Sequence, residues 1–189
     1  TMDVMVTAIL AGSALYYMHS STNISYVQST VDGQYYKVRN VGGKERAANT
    51  LANVNARILT LIRYCRQKHP ALYKYKRLEE NYNPERLHER PETSKYAAYS
   101  INKGEHLYMC VRNNNTEDVT DNMNVLMYVA AHELAHIMTV SVGHTPEFWS
   151  NYEDLLKCAE DCGVYEPVLP KNVNVQYCGV SLERVAPAT

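Results

Sequence analysis

An α+β fold is predicted by three features of the sequence. One is a long stretch of helical apolar periodicity between Ala47 and Cys65. The second is a tyrosine-rich hairpin pattern between Lys95 and Arg112. The third is a pair of further helical stretches ending near Cys162. These elements imply a few-stranded sheet with a hairpin, packed on the helix that carries His132 to His136 and on further helices. With 189 residues, 46% hydrophobic and 21% charged, the chain can bury a core, which excludes extended disorder. The expected organisation is an apolar N-terminal segment (1–23), one domain (24–165), and a C-terminal tail (166–189) packed on that domain.

In chain order, Val4 to Met18 is an uncharged run, shorter than the roughly 20 residues that span a bilayer. No basic segment precedes it, which argues against a signal peptide. It is expected to be a packing helix, the alternatives being an interfacial segment or the stump of a membrane anchor. Val31-Asp32-Gly33-Gln34 marks a turn between short strands. Ala47, Leu51, Val54, Ile58, Leu61 and Cys65 then form one apolar stripe, and Pro70 stops the helix near His69. Leu72 to Arg90 reads as a short helix and a loop. Lys95–Ile101 and His106–Arg112 form the hairpin, with Asn102-Lys103-Gly104-Glu105 as its turn. A helix is expected to start between Thr116 and Asp121, where acidic residues suit the helix dipole, and to run to about Met138. Thr145-Pro146-Glu147 restarts a helix that ends near Cys162, with Gly163 as its cap. One strand is expected near Gln176–Val180.

The net charge of -1 conceals a polarised chain. Lys37 to Arg77 holds 11 basic residues against Glu45 alone, while the acidic residues concentrate after Asn113. Such a stretch is usually a solvated face, but it is also a candidate surface for nucleic acid or an anionic membrane. The 5 cysteines include no CxxC pair, so no disulfide framework is expected. That favours an intracellular compartment, cytoplasmic or nuclear. Cys158 and Cys162 share a helix face and read as structural cysteines.

The chemistry is concentrated in His132-Glu133-Leu134-Ala135-His136. Residues four apart on a helix lie one turn above each other, so both imidazoles can reach one Zn²⁺. Glu133, beside the first ligand, is placed to act as general base on an attacking water. A catalytic zinc takes three protein ligands and keeps one open position. His144 is the candidate third ligand, in Gly143-His144-Thr145-Pro146-Glu147-Phe148-Trp149; Glu147, Glu153 and Glu160 are its rivals. Phe148 and Trp149, the only Phe and the only Trp, are expected to anchor the following helix on the metal helix. Tyr165 and Tyr177 are candidate oxyanion donors. The strand from His106 to Arg112 is expected to be the edge that aligns a protein or peptide substrate.

From His106 to Trp149 the chain resembles the SprT-like and WLM (Wss1-like) metallopeptidases, in which a strand leads into the HExxH helix and a third His precedes an aromatic pair. The resemblance implies a small zincin-like domain and a zinc peptidase, with His132, His136 and His144 as ligands and Glu133 as base. The seven-residue spacer from His136 to His144 is longer than the usual WLM spacer and shorter than in some SprT-like members, and no zinc ribbon follows. The metzincin pattern fails at Thr139 and Val142. Many relatives cleave proteins crosslinked to DNA, which makes a DNA-associated protease one alternative. A non-catalytic zinc-stabilised binding module is another.

Overall fold

A computed structural model describes residues 23–113, 118–167 and 175–182. The run Val4–Met18, with the helix expected there, lies outside the described residues. The fold is α+β, as expected. Strands β1 (Ile24–Gln28) and β2 (Tyr35–Arg39) form an antiparallel hairpin turned at Gly33. Helix α1 (Lys44–Lys68) follows, and its stripe of Ala47, Leu51, Val54, Ile58, Leu61 and Cys65 is fully buried. The helix ends where expected, with His69 N–H donating to the Cys65 carbonyl just before Pro70.

Helix α2 (Tyr73–Asn81) and a 3₁₀ turn (Pro84–Arg86) lead to strand β3 (Leu87–Glu89). The sequence reading placed only a helix and a loop here. Three residues are too few to show alternation, and all three are buried whatever their polarity. Strands β4 (Ala98–Ile101) and β5 (His106–Met109) form the expected hairpin with shorter arms. The sheet order is β3-β5-β4, with β3 parallel and β4 antiparallel to β5. This corrects one expectation: the strand starting at His106 is central, because β3 covers its other side, and the edge strands are β3 and β4. In the connecting turn, a Cβ on Gly104 would lie 2.5 Å from the Asn81 carbonyl oxygen, so only glycine lets the turn seat on α2.

Helix α3 (Met123–Met138) begins later than the acidic residues suggested. The stretch before it is held extended, with Thr120 N–H donating to the Val111 carbonyl at 2.9 Å and Arg112 bridged to Val119. Asn122 then caps the helix by accepting from Val125 N–H. Nearly all of α3 is buried, because the sheet, α1, α2 and α4 surround it. Helix α4 (Pro146–Asp161) starts on Thr145, whose hydroxyl accepts from Phe148 N–H, with Pro146 at the first position.

The tail forms a hairpin, β6 (Val175–Tyr177) and β7 (Val180–Leu182), rather than one strand. A disulfide joins Cys178, in its turn, to Cys110 at the end of β5, with the Cα atoms 6.3 Å apart. The expectation of no disulfide is therefore corrected for this pair. A separation of 68 residues leaves no local spacing signature. Cys65 and Cys158 are buried free thiols, and Cys162 is half-buried.

The two charged halves of the sequence meet in the fold. Arg46 pairs with Asp121, Lys68 with Asp161 and Lys74 with Asp154, so part of the basic stretch is neutralised from within. Among the described residues, no helix is long and apolar enough to cross a membrane.

Candidate metal centre

His132 and His136 project from one face of α3, four residues apart, with ring centroids at 5.1 Å. His144 comes to them from the loop between α3 and α4. Its Nε2 lies 3.0 Å from His132 Nε2 and 3.2 Å from His136 Nε2. Three ligands at about 2.0–2.1 Å from a tetrahedral zinc stand about 3.3–3.4 Å apart, so this triangle is near the right size. Its chemistry also fits. His144 Nε2 faces two other ring nitrogens and carries at most one proton, so hydrogen bonding alone does not satisfy the group. A cation shared by three lone pairs does. Burial holds both helix imidazoles at about 4, below the ordinary histidine value; His136 and His144 add to the effect at His132, and His144 and Lys103 add to it at His136. They are therefore neutral at pH 7, the form that binds metal.

The loop that delivers His144 is fastened at several points. Gly143, at φ 84, makes the turn. The Glu147 carboxylate accepts from the N–H groups of Val140 and Ser141, each at 3.1 Å, and from the Ser141 hydroxyl at 2.6 Å. Lys103, in the β4–β5 turn, donates to the carbonyls of Thr139 and Ser141 at 2.9 and 2.7 Å. Asn151 Nδ2 donates to the buried Thr139 hydroxyl at 2.9 Å. Glu147 is thus occupied in shaping the loop, while Glu153 and Glu160 are exposed on α4. Of the four candidates for the third position, only His144 joins the cluster: the three histidines offer nitrogens within 4.8 Å of one another. Phe148 fills the space beneath them, its ring 4.3 to 4.8 Å from the three imidazole rings.

Glu133 is buried beside His132, and burial raises its carboxyl to about 7. Two hydrogen bonds from Ser100, one from the backbone N–H and one from the hydroxyl, act in the opposite direction. Cys110 N–H donates to the Ala97 carbonyl at 2.8 Å, so this pair belongs to the hydrogen-bonded set of the ladder. The register then turns the N–H and C=O of Ala98 and Ser100 away from β5. Ser100 thereby meets Glu133, and Ala98 faces a cleft of about 320 Å³ that contains His132 and Glu133. Trp149, Tyr152 and Val129 line it from the helices, and Tyr177, Val180, Ser181 and Leu182 line it from the β6–β7 hairpin.

The two candidate oxyanion donors are not in position for that role. Tyr177 lines the cleft, but its hydroxyl donates to the Cys110 carbonyl. Tyr165 is buried against Tyr128, 6.1 Å between ring centroids, and does not line the cleft. Sequence reasoning missed Ser100, Lys103 and the loop role of Glu147. Glu147 was visible as a helix-start residue, whereas no signal marked the other two.

No family model matches the chain. Two solved structures of Wss1 from Saccharomyces cerevisiae, one of them a mutant, match at 18% identity with TM-scores of 0.45 and 0.47, over 65% and 68% of this chain and 83% and 91% of theirs. Uncharacterized protein 136R of Invertebrate iridescent virus 6 is 30% identical over 82 residues, 43% of this chain and 44% of that protein. Uncharacterized protein R325 of Acanthamoeba polyphaga mimivirus is 30% identical over 168 residues, which is 87% of this chain and 85% of that protein. With similarity running through most of both sequences, the chain belongs to the family of the mimivirus protein R325.

Proposed function

We propose that the chain is a zinc-dependent metallopeptidase, with His132, His136 and His144 as ligands and Glu133 as general base. The observation that carries this reading is the convergence of three imidazole Nε2 atoms beside a buried carboxyl, with His132 and that carboxyl lining a cleft that Ala98 of strand β4 borders. Zinc held there would lower the pKa of a bound water to about 7 and polarise a carbonyl.

The chain's own groups supply the remaining steps. The outward N–H and C=O of Ala98 align an extended peptide by strand addition. Ser100 fixes the Glu133 carboxylate at the cleft floor. Glu133 takes one proton from the attacking water as its oxygen bonds to the peptide carbon. It then gives that proton to the amide nitrogen as the C–N bond breaks, leaving a carboxylic acid and an amine; the water's second proton, still on the acid, passes to the amine, so that a carboxylate and an ammonium depart. Phe148 keeps water from the inner side of the imidazoles.

Elemental analysis and hydrolysis test the reading together. Wild type is expected to carry about one zinc per chain, and His144→Ala to lose it or bind it far more weakly. Glu133→Gln is expected to keep zinc and to lose peptide hydrolysis by at least about 100-fold. Absence of zinc from metal-supplied wild type would overturn the proposal. Zinc retained with no hydrolysis by wild type would point to the non-catalytic module instead.

A further inference from the structure

We propose that the β6–β7 hairpin is the specificity wall of the cleft, and that the pocket it closes takes a bulky apolar side chain from a peptide extended along β4. The inference deepens the peptidase reading and rests on it for the peptide, although its test reads binding rather than turnover.

Three observations meet here. The first is the lining. Val129, Trp149 and Tyr152 share with Tyr177, Val180 and Leu182 the lining of a cleft of about 320 Å³. Apart from His132 and Glu133, Lys95 is the only charged or histidine side chain among the described lining residues. A charged side chain entering this space would lose its hydration with little to replace it, whereas an apolar one gains from burial. The second is the strand. Ala98 borders the same pocket and turns its backbone groups outward, so a peptide paired there places alternate side chains toward the hairpin.

The third is the tether. Strands of three residues do not hold a two-stranded hairpin in place in water. This hairpin is fixed by the Cys110–Cys178 disulfide and by the buried Tyr177, whose hydroxyl donates to the Cys110 carbonyl. Both attachments lead to the same residue, at the end of the central strand. The disulfide is therefore the covalent anchor that helps to hold the wall at a set distance from α3 and α4. A dithiol that reduces the disulfide to two thiols, and is itself oxidised to a cyclic disulfide, removes that anchor and loosens the wall.

Trp149 is the only tryptophan in the chain and lines the cleft, so its emission reports occupancy. The full chain, freed of metal by chelation, is titrated with blocked peptides Gly-Gly-Xaa-Gly-Gly in which Xaa is Leu, Phe, Gly or Asp. The Leu and Phe peptides are expected to bind about tenfold or more tightly than the Gly and Asp peptides. Val180→Asp and Leu182→Asp, which keep the disulfide, are each expected to weaken the Leu peptide about tenfold and to change the Gly peptide by less than about twofold. Dithiothreitol should weaken the preference in wild type, with far-UV dichroism checking that the fold persists. Equal affinity for Leu and Asp peptides, or a preference kept in full by both wall variants, would overturn the proposal. A preference that survives reduction would remove the role of the tether. Because no step requires metal or turnover, a failed zinc analysis would defeat the peptidase reading and leave this result to be judged separately.

Discussion

At the scale of single residues, Glu147 shows how a plausible ligand can serve the site without touching the metal. Its carboxylate holds Val140 and Ser141, and so sets where His144 arrives. Glu147→Ala is expected to keep about one zinc per chain but to weaken zinc affinity about 10- to 100-fold, measured by competition with a chelator. His88 gives a second prediction. Burial, then His106, Lys37 and Arg86, hold its imidazole at about 4. The unfolded chain takes up a proton near the ordinary value of about 6.5, and the folded chain resists it. The stability this represents is complete above about 6.5 and is lost as pH falls toward 4. Urea midpoints between pH 7 and pH 4.5 should therefore fall less steeply in His88→Phe than in wild type. His132, His136 and Glu133 were legible because the spacing on one helix places them, whatever the rest of the fold does. Ser100 was not legible, because its meeting with Glu133 depends on the register of a strand pair.

At the scale of elements, the periodic pieces were readable and the short ones were not. The stripe on α1 and the cap at Thr145 appeared as expected, since each is specified by residues within a few turns. Strand β3 is three residues long and takes its place from its partners. One partner is the buried pair of Glu89 with Arg112, at 2.6 Å; Glu89 also accepts from Arg39 N–H at 2.7 Å. This carboxylate links β3 to β2 and to the chain after β5. Arg112→Met leaves Glu89 with a buried charge and is expected to cost about 3–5 kcal/mol in urea unfolding. Gly104→Ala tests the contact between the β4–β5 turn and α2. It should destabilise the fold and also reduce zinc affinity, because Lys103 in the same turn holds the His144 loop.

At the scale of the whole molecule, the cysteine pattern misled because the disulfide is a long-range pairing, and the charge asymmetry of the chain is also met by long-range pairs. The basic and acidic halves partly cancel across the fold, though exposed pairs of this kind contribute only about 0–1 kcal/mol each. The disulfide closes a 68-residue separation, and Cys178→Ser is expected to lower stability by roughly 4 kcal/mol in thermal or urea unfolding if chain entropy dominates. The abundance of tyrosine has a partial account, since buried rings place hydroxyls on polar partners: Tyr82 on Asn55, Tyr152 on the Tyr128 carbonyl and Tyr177 on the Cys110 carbonyl. Its counterpart is the scarcity of phenylalanine. The single Phe of the chain is Phe148, seated against all three imidazoles. Growth on fluorophenylalanine would therefore place one fluorine nucleus in the entire protein, directly beneath the candidate centre. Its resonance would follow metal loading, loop rearrangement and peptide entry as one line, free of overlap, in a molecule where a tyrosine label would give 16.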